Sequence, residues 1–294
     1  MRLYKVYMNP STNHSLESFW LTVNGLRIRA YALGSGEPLV LLHGGGVDGA
    51  LLSWRLAMPA LAEHRRVIAF DWPGYGESQP NPQPNTMDFY VEFTGAVLDA
   101  LGLQRSGLMG LSLGGGAALG FALAHPERVE RLALVDAYGL ADKVPFQRLS
   151  HWMVQADWLM RGSYVLLRKS RTLTRWTLSY ILARKESITD TLVDEVYQVI
   201  RDPKAGEAFL DIQRTDVLPD RIRTCYIDRV HELAMPTLIL HGEQDTLVPL
   251  SAAREAVRRN PAIQLCVLPR CGHWPQRDAP EEFNRAAAAF FARE

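Results

Sequence analysis

Cysteine is scarce in this chain. Cys225, Cys266 and Cys271 are odd in number and make no CxxC pair, which argues against a disulfide framework and a thiolate zinc site. Net charge is lacking too: 32 Lys and Arg balance 32 Asp and Glu, so no global field draws the protein to nucleic acid or an anionic membrane. No apolar run reaches the roughly 18 residues of a spanning helix. The opening residues MRLYKVYMNPSTNHS hold no apolar run long enough for a signal peptide. There is no G-x-x-x-x-G-K-[ST], and no G-x-G-x-x-G opens a helix, so phosphate-binding loops are not indicated. These absences predict a cytoplasmic protein with no nucleic-acid or membrane partner, and a neutral small molecule suits its charge balance; the full expectation is a small neutral or aromatic molecule and no metal or cofactor.

What is present is a rhythm. FWLTV (19–23) and LRIRAYAL (26–33), joined by Asn24-Gly25, predict a β-hairpin. Short continuous apolar runs then alternate with helical patterns: strands over 38–44, 65–72, 106–112 and 129–137, and helices over 50–63, 87–101 and 114–125. Continuous rather than alternating apolar strands predict a mostly parallel sheet covered on both faces, an α/β fold. The rhythm stops near Gly139, and from there to about 230 the pattern is helical and rich in Arg and Trp. It resumes with PTLILHG (236–242), a helix at 251–259, IQLCVLP (263–269) and a closing helix at 280–292. The expected division is a core of residues 1–138 and 231–294, with 139–230 inserted as a helical cap.

Gly110-Leu111-Ser112-Leu113-Gly114 fits G-x-S-x-G between a strand and a helix. Small residues there permit a sharp turn that exposes the serine hydroxyl at the strand end. A serine alcohol needs an adjacent base. His273, in CGHW after the last strand, is expected to be that base, with His43 as the rival. Asp245, in HGEQDTLVP after the penultimate strand, is expected to orient it, with Asp136 at the end of LALVD as the competing acid. Backbone N–H groups of Gly44 or Gly45 in HGGG, and of Leu113 directly after the nucleophile, are the expected oxyanion donors. Asp71, in DWPGYGES, reads as an acceptor for backbone N–H groups.

Taken together, HGGG, DWPGYGES, GLSLGG, HGEQDTLVP and CGHW resemble the α/β-hydrolase superfamily over essentially the whole chain. The resemblance implies the α/β-hydrolase fold and a Ser-Asp-His triad; it does not set the substrate. Members that open epoxides or remove halide usually place Asp at the nucleophile, and Ser112 argues against both. The tail CGHWPQRDAPEEFN looks like that of the meta-cleavage-product hydrolases, which split a carbon–carbon bond in dienoic keto acids. That branch usually has Asn before the nucleophile and a cap arginine for the substrate carboxylate. Here Leu111 stands at the first place and alignment puts Val196 at the second, leaving Arg161, Arg168 or Arg184 as substitutes. The first expectation is therefore hydrolysis of a small carboxylic ester through an acyl-enzyme, ahead of carbon–carbon hydrolysis. A non-catalytic ligand-binding member of the fold is the alternative of a different class. Trp274 and Leu111 are expected at the pocket. The cap aromatics Trp152, Trp158, Trp176, Tyr164 and Tyr180 are expected in packing, with some lining an acyl or aryl site.

Overall fold

The computed structural model describes residues 15–292; the opening segment considered above for a signal peptide lies almost wholly outside them. An eight-stranded sheet forms the frame. Its strands are β1 (Glu17–Val23), β2 (Leu26–Leu33), β3 (Pro38–Leu42), β4 (Arg66–Phe70), β5 (Ser106–Leu111), β6 (Val129–Val135), β7 (Thr237–Gly242) and β8 (Gln264–Leu268). Their spatial order is β1-β2-β4-β3-β5-β6-β7-β8. The hairpin β1–β2 and the β2–β4 pair are antiparallel, and the other pairs are parallel. The mostly parallel sheet covered on both faces, expected from the strand–helix rhythm, is what forms, in the α/β-hydrolase arrangement that the resemblance implied.

The parallel strands are buried on both faces because two helical layers cover them. Alternate residues divide between the layers, as period-two side chains must. Val40 and Leu42 join one core with α3 (Met87–Ala100) and α4 (Leu113–Ala124). Leu39 and Leu41 join the other, with α1 (Ala50–Trp54), α2 (Met58–Leu61) and the final helix (Pro280–Phe291). The single helix expected over 50–63 is in fact this α1–α2 pair. Pro59 sits in the first turn of α2, where its missing N–H costs nothing and its ring breaks continuity with the preceding turn.

Between β6 and β7 the chain leaves the sheet. It forms α5 (Gln147–Gln155), α6 (Asp157–Leu167), α7 (Arg171–Ile181), α8 (Asp190–Ile200) and α9 (Glu207–Asp216). Beyond α9 the chain rejoins the layer: Val230 and Leu233 are buried in the same cluster as Ala252 and Ala253 of α10 (Leu250–Arg259). No helix of the described residues is long and apolar enough to cross a membrane.

Candidate active site

The loops after β3 and β5 leave the carboxyl ends of neighbouring strands. β3 lies between β4 and β5; the chain leaves β3 toward β4 on one side and later crosses to β5 on the other, so the connections diverge there and open a crevice. Ser112 occupies the turn from β5 to α4 with φ 48° and ψ −114°, a conformation that non-glycine residues rarely adopt and that marks functional turns. Its neighbours explain the motif. A Cβ on Gly110 would stand 2.2 Å from the Gly114 carbonyl oxygen, and one on Gly114 would stand 2.3 Å from the Leu42 carbonyl oxygen. The turn closes only if both are glycine. Ser112 N–H donates to the Val135 carbonyl at 2.9 Å, and the Ser112 carbonyl accepts from Tyr138 at 3.0 Å, so β6 holds the strained residue in place.

His273 follows β8. Its Nδ1 lies 2.8 Å from Asp245 Oδ2, which leaves Nε2 as the nitrogen free for chemistry. Asp245 Oδ1 accepts from the N–H groups of Leu247 at 2.7 Å and Val248 at 3.0 Å. Burial opposes the Asp245 charge, but the His273 hydrogen bond and these two donors outweigh it and hold the carboxyl below its usual range. The loop carrying His273 is tied to the helical insertion: His273 N–H donates to Ile181 O at 2.8 Å. Asp278 accepts from the N–H groups of Ala183 and Arg184 at 2.8 and 3.0 Å.

Both rivals are accounted for. His43 is fully buried, with Nδ1 donating to Gly44 O at 2.8 Å and Nε2 accepting from Trp72 N–H at 3.0 Å. Burial pushes it down to about 3, so it is a neutral structural link. Asp136 sits behind Asp245. Its Oδ1 accepts from Gly242 N–H at 2.9 Å and lies 3.2 Å from His241 Nδ1, while Oδ2 is buried without a partner among the described residues. Burial and the Asp245 charge push Asp136 well above the usual carboxylate range. Asp71 accepts from Ala50 N–H at 2.7 Å, the backbone role read from its motif.

Of the oxyanion donors, Gly44 does not serve. Its N–H donates to Asp48 Oδ2 at 2.8 Å. Asp48 also takes Gly49 N–H and the Ser53 hydroxyl, and the Ser53 oxygen accepts from Trp274 Nε1 at 3.2 Å. The same chain of bonds thus fixes the glycine loop and Trp274. Gly45 and Leu113 N–H have no partner among the described residues, and both residues face the crevice. Phe209 of α9 covers Gly45 so closely that a Cβ there would lie 2.3 Å from its ring.

Two lobes flank Ser112. One, about 330 Å³, is walled by Gly45, Leu111, Tyr164, Leu178, Val196 and Trp274. The other, about 470 Å³, is walled by Leu113, Tyr138, Val154, Ile212 and Val248. Ser112, His273, Phe209 and Leu247 line both. Trp274, Leu111 and Val196 all line the first lobe. Tyr164 faces the cavity, but Trp152, Trp158, Trp176 and Tyr180 do not line it: they are exposed, with Trp176 and Tyr180 packed edge to face on each other. Among the described residues no Lys or Arg lines either lobe. Arg161 bonds Asp157 and Glu207, Arg168 bonds the carbonyls of Ile200 and Pro203, and Arg184 bonds Glu282. Sequence reasoning missed Phe209, Leu247 and Asp48; only the G-G-G-x-D spacing hinted at the last.

The relatives agree with this frame. The pattern describing the alpha/beta hydrolase fold matches residues 37–280. The chain is similar to the 2-hydroxy-6-oxo-2,4-heptadienoate hydrolase of Pseudomonas putida, 33% identical over 278 residues, covering 92% of this chain and 94% of that one. It is similar to the 2-hydroxymuconate semialdehyde hydrolase of Pseudomonas sp. CF600, 31% identical, with 91% of each chain covered. A solved meta-cleavage product hydrolase (CumD) of Pseudomonas fluorescens IP01 superposes with a TM-score of 0.78 at 28% identity, covering 93% of this chain and 97% of that one. These names favour the carbon–carbon alternative over the ester expectation. The chain belongs to the alpha/beta hydrolase fold family of enzymes, in the branch that resembles the meta-cleavage-product hydrolases.

Proposed function

We propose that this is a serine hydrolase in which Ser112 attacks the carbonyl of a small, uncharged, apolar substrate, an ester first of all. In this reading His273 Nε2 takes the Ser112 proton as the Oγ–carbon bond forms, and Asp245 stabilises the resulting imidazolium. The N–H groups of Gly45 and Leu113 receive the oxyanion. The proton then passes to the leaving alkoxide, and water releases the acyl group from Ser112 by the same steps. The two lobes give the acyl and alcohol portions separate apolar seats. Residues 139–230 act as a cap that closes the crevice and, through Ile181 and Asp278, braces the base.

One observation carries the choice of a neutral substrate: the lobe beside Trp274 presents Leu111, Val196 and the acid Asp48, and no cation. A carboxylate placed there meets no donor from Leu111 or Val196 and a like charge whenever Asp48 is ionised. Leaving it unpartnered costs several kcal/mol. Burial pushes Asp48 up to about 7, against the pull of its hydrogen bonds, so at mildly acidic pH this wall is neutral. The second reading, carbon–carbon hydrolysis of a dienoic keto acid, is favoured by the names of the relatives. It requires a group to hold the substrate carboxylate while a keto form develops. The test is kcat/KM for aryl esters of graded acyl length against a meta-cleavage dienoate, with one preparation. The expected result is a preference of at least about tenfold for an ester, a difference of ~1.4 kcal/mol in transition-state binding. A clear preference for the dienoate overturns the proposal in favour of the second reading.

A further inference from the structure

The helices α5, α6 and α7 are apolar on two sides. Their inner sides wall the cavity through Val154, Tyr164 and Leu178. Their outer sides leave Phe146, Leu149, Trp152, Trp158, Leu166 and Trp176 in solvent, Phe146 82% and Trp158 74% exposed. The helices pack in succession, α5 on α6 and α6 on α7, so these side chains belong to one stretch of surface. A folded protein seldom exposes so many large apolar groups on neighbouring elements without a use for them.

Charge identifies what covers this surface. Residues 143–181 hold seven lysines and arginines against one carboxylate, Asp157, and Asp157 is already engaged by Arg161 and Arg214. Arg171 and Arg175 pair with carboxylates on α8. Lys143, Arg148 and Lys169 are exposed and make no ion pair among the described residues. The guanidinium of Arg168 meets only carbonyl oxygens. Because the whole chain is neutral, the remainder carries a matching acidic surplus. The outer face of α5–α7 is therefore basic and aromatic, and the rest of the chain, α8 and α9 included, forms an acidic body.

We propose that the outer face of α5–α7 docks on an anionic lipid bilayer. Exposed Trp with interspersed Arg and Lys is the composition that settles at the headgroup level: indole rings enter the boundary while cations meet lipid phosphates. A second copy of this chain is a poorer occupant, since a symmetric contact sets basic surface against basic surface. The acidic body orients away from the bilayer, and the seated helices are those that wall the cavity. An apolar substrate dissolved in the membrane then reaches Ser112 without crossing bulk water. Docking is peripheral, consistent with the lack of a spanning helix in the described residues. It qualifies the expectation of no membrane partner, which rested on overall charge alone. It is independent of which bond Ser112 cleaves.

The test is flotation of the full chain with vesicles of phosphatidylcholine alone or enriched in phosphatidylglycerol, at low and high salt. Wild type should float with the anionic vesicles, several-fold less with the neutral ones, and release at high salt. R148E/K169E should lose at least about tenfold on anionic vesicles, each cation near such a surface being worth about fivefold, ~1 kcal/mol, with little change on neutral ones. W158S/L166S should lose at least about tenfold on both. Thermal melts by circular dichroism establish that each variant is folded, and unfolded variants are replaced by single substitutions at the same positions. Failure of wild type to float with anionic vesicles overturns the proposal. So does equal, salt-insensitive binding to both compositions. Sedimentation showing a wild-type dimer that W158S/L166S converts to monomer also overturns it, because a second copy then covers the face.

Discussion

Asp136→Asn should uncouple stability from pH without removing activity. The carboxyl is fully buried and faces Asp245, His241 and, more distantly, Cys271. Burial and the Asp245 charge raise it well above its ordinary value of 3.8, so the native state retains a proton that the unfolded chain releases. The sign follows from linkage: a raised folded pKa gives stability that is complete below the unfolded value and is lost as pH rises through the folded one. The loss runs at about 1.4 kcal/mol for each pH unit across that window. The Asn variant is nearly isosteric, keeps an oxygen for Gly242 N–H and supplies a donor toward the Asp245 side, yet cannot titrate. Its stability relative to wild type should therefore rise by about 1.4 kcal/mol per pH unit, or roughly 2–3 °C in Tm for a chain of this length. Calorimetry of both proteins from about pH 4.5 to about pH 7, where Asp245 contributes equally to each, measures the difference directly. Ester hydrolysis should stay within about threefold of wild type. Parallel stability curves would show that Asp136 is already ionised in the native state. A collapse of activity would show that it, rather than Asp245, serves His273.

Ser112→Ala should fold normally and lose about a millionfold in turnover; an organophosphonate should add one mass to wild type and none to the variant, and labelling elsewhere with Ser112 untouched defeats the assignment. Asp245→Asn should cut turnover by about 10⁴, since an amide favours the wrong imidazole tautomer; near-normal rates would shift the acid role elsewhere. Glu195→Ala should destabilise by about 3–5 kcal/mol in denaturant unfolding, because Glu195 on α8 pairs with Arg277, which is 3% exposed and 2.6 Å away, and with Arg55. A cost below about 1 kcal/mol would mean that this buried cluster does not hold the insertion to the base loop.

The chain alone determined the frame. Continuous apolar strands, the Asn24-Gly25 turn and the G-x-S-x-G elbow are local signals, because a strand, a turn and a steric limit on Cβ each act over a few residues. The structure accordingly puts Ser112 on its strained turn and Asp245 against His273, from segments far apart in sequence. Tertiary structure decided what depends on partners brought from a distance. Gly44 and Gly45 look alike in the sequence, and only the approach of Asp48 shows that the Gly44 N–H is taken, while that of Gly45 has no partner among the described residues. Asp136 and Asp245 both end sheet strands, and only the packing of β6 against β7 buries Asp136 behind its rival, which raises its carboxyl above the usual range. The aromatics between β6 and β7 fit a core by composition, yet Trp158 and Trp176 turn outward. A helix has an inner and an outer side only once it is laid on something, so hydrophobic content could not tell which side these residues would occupy.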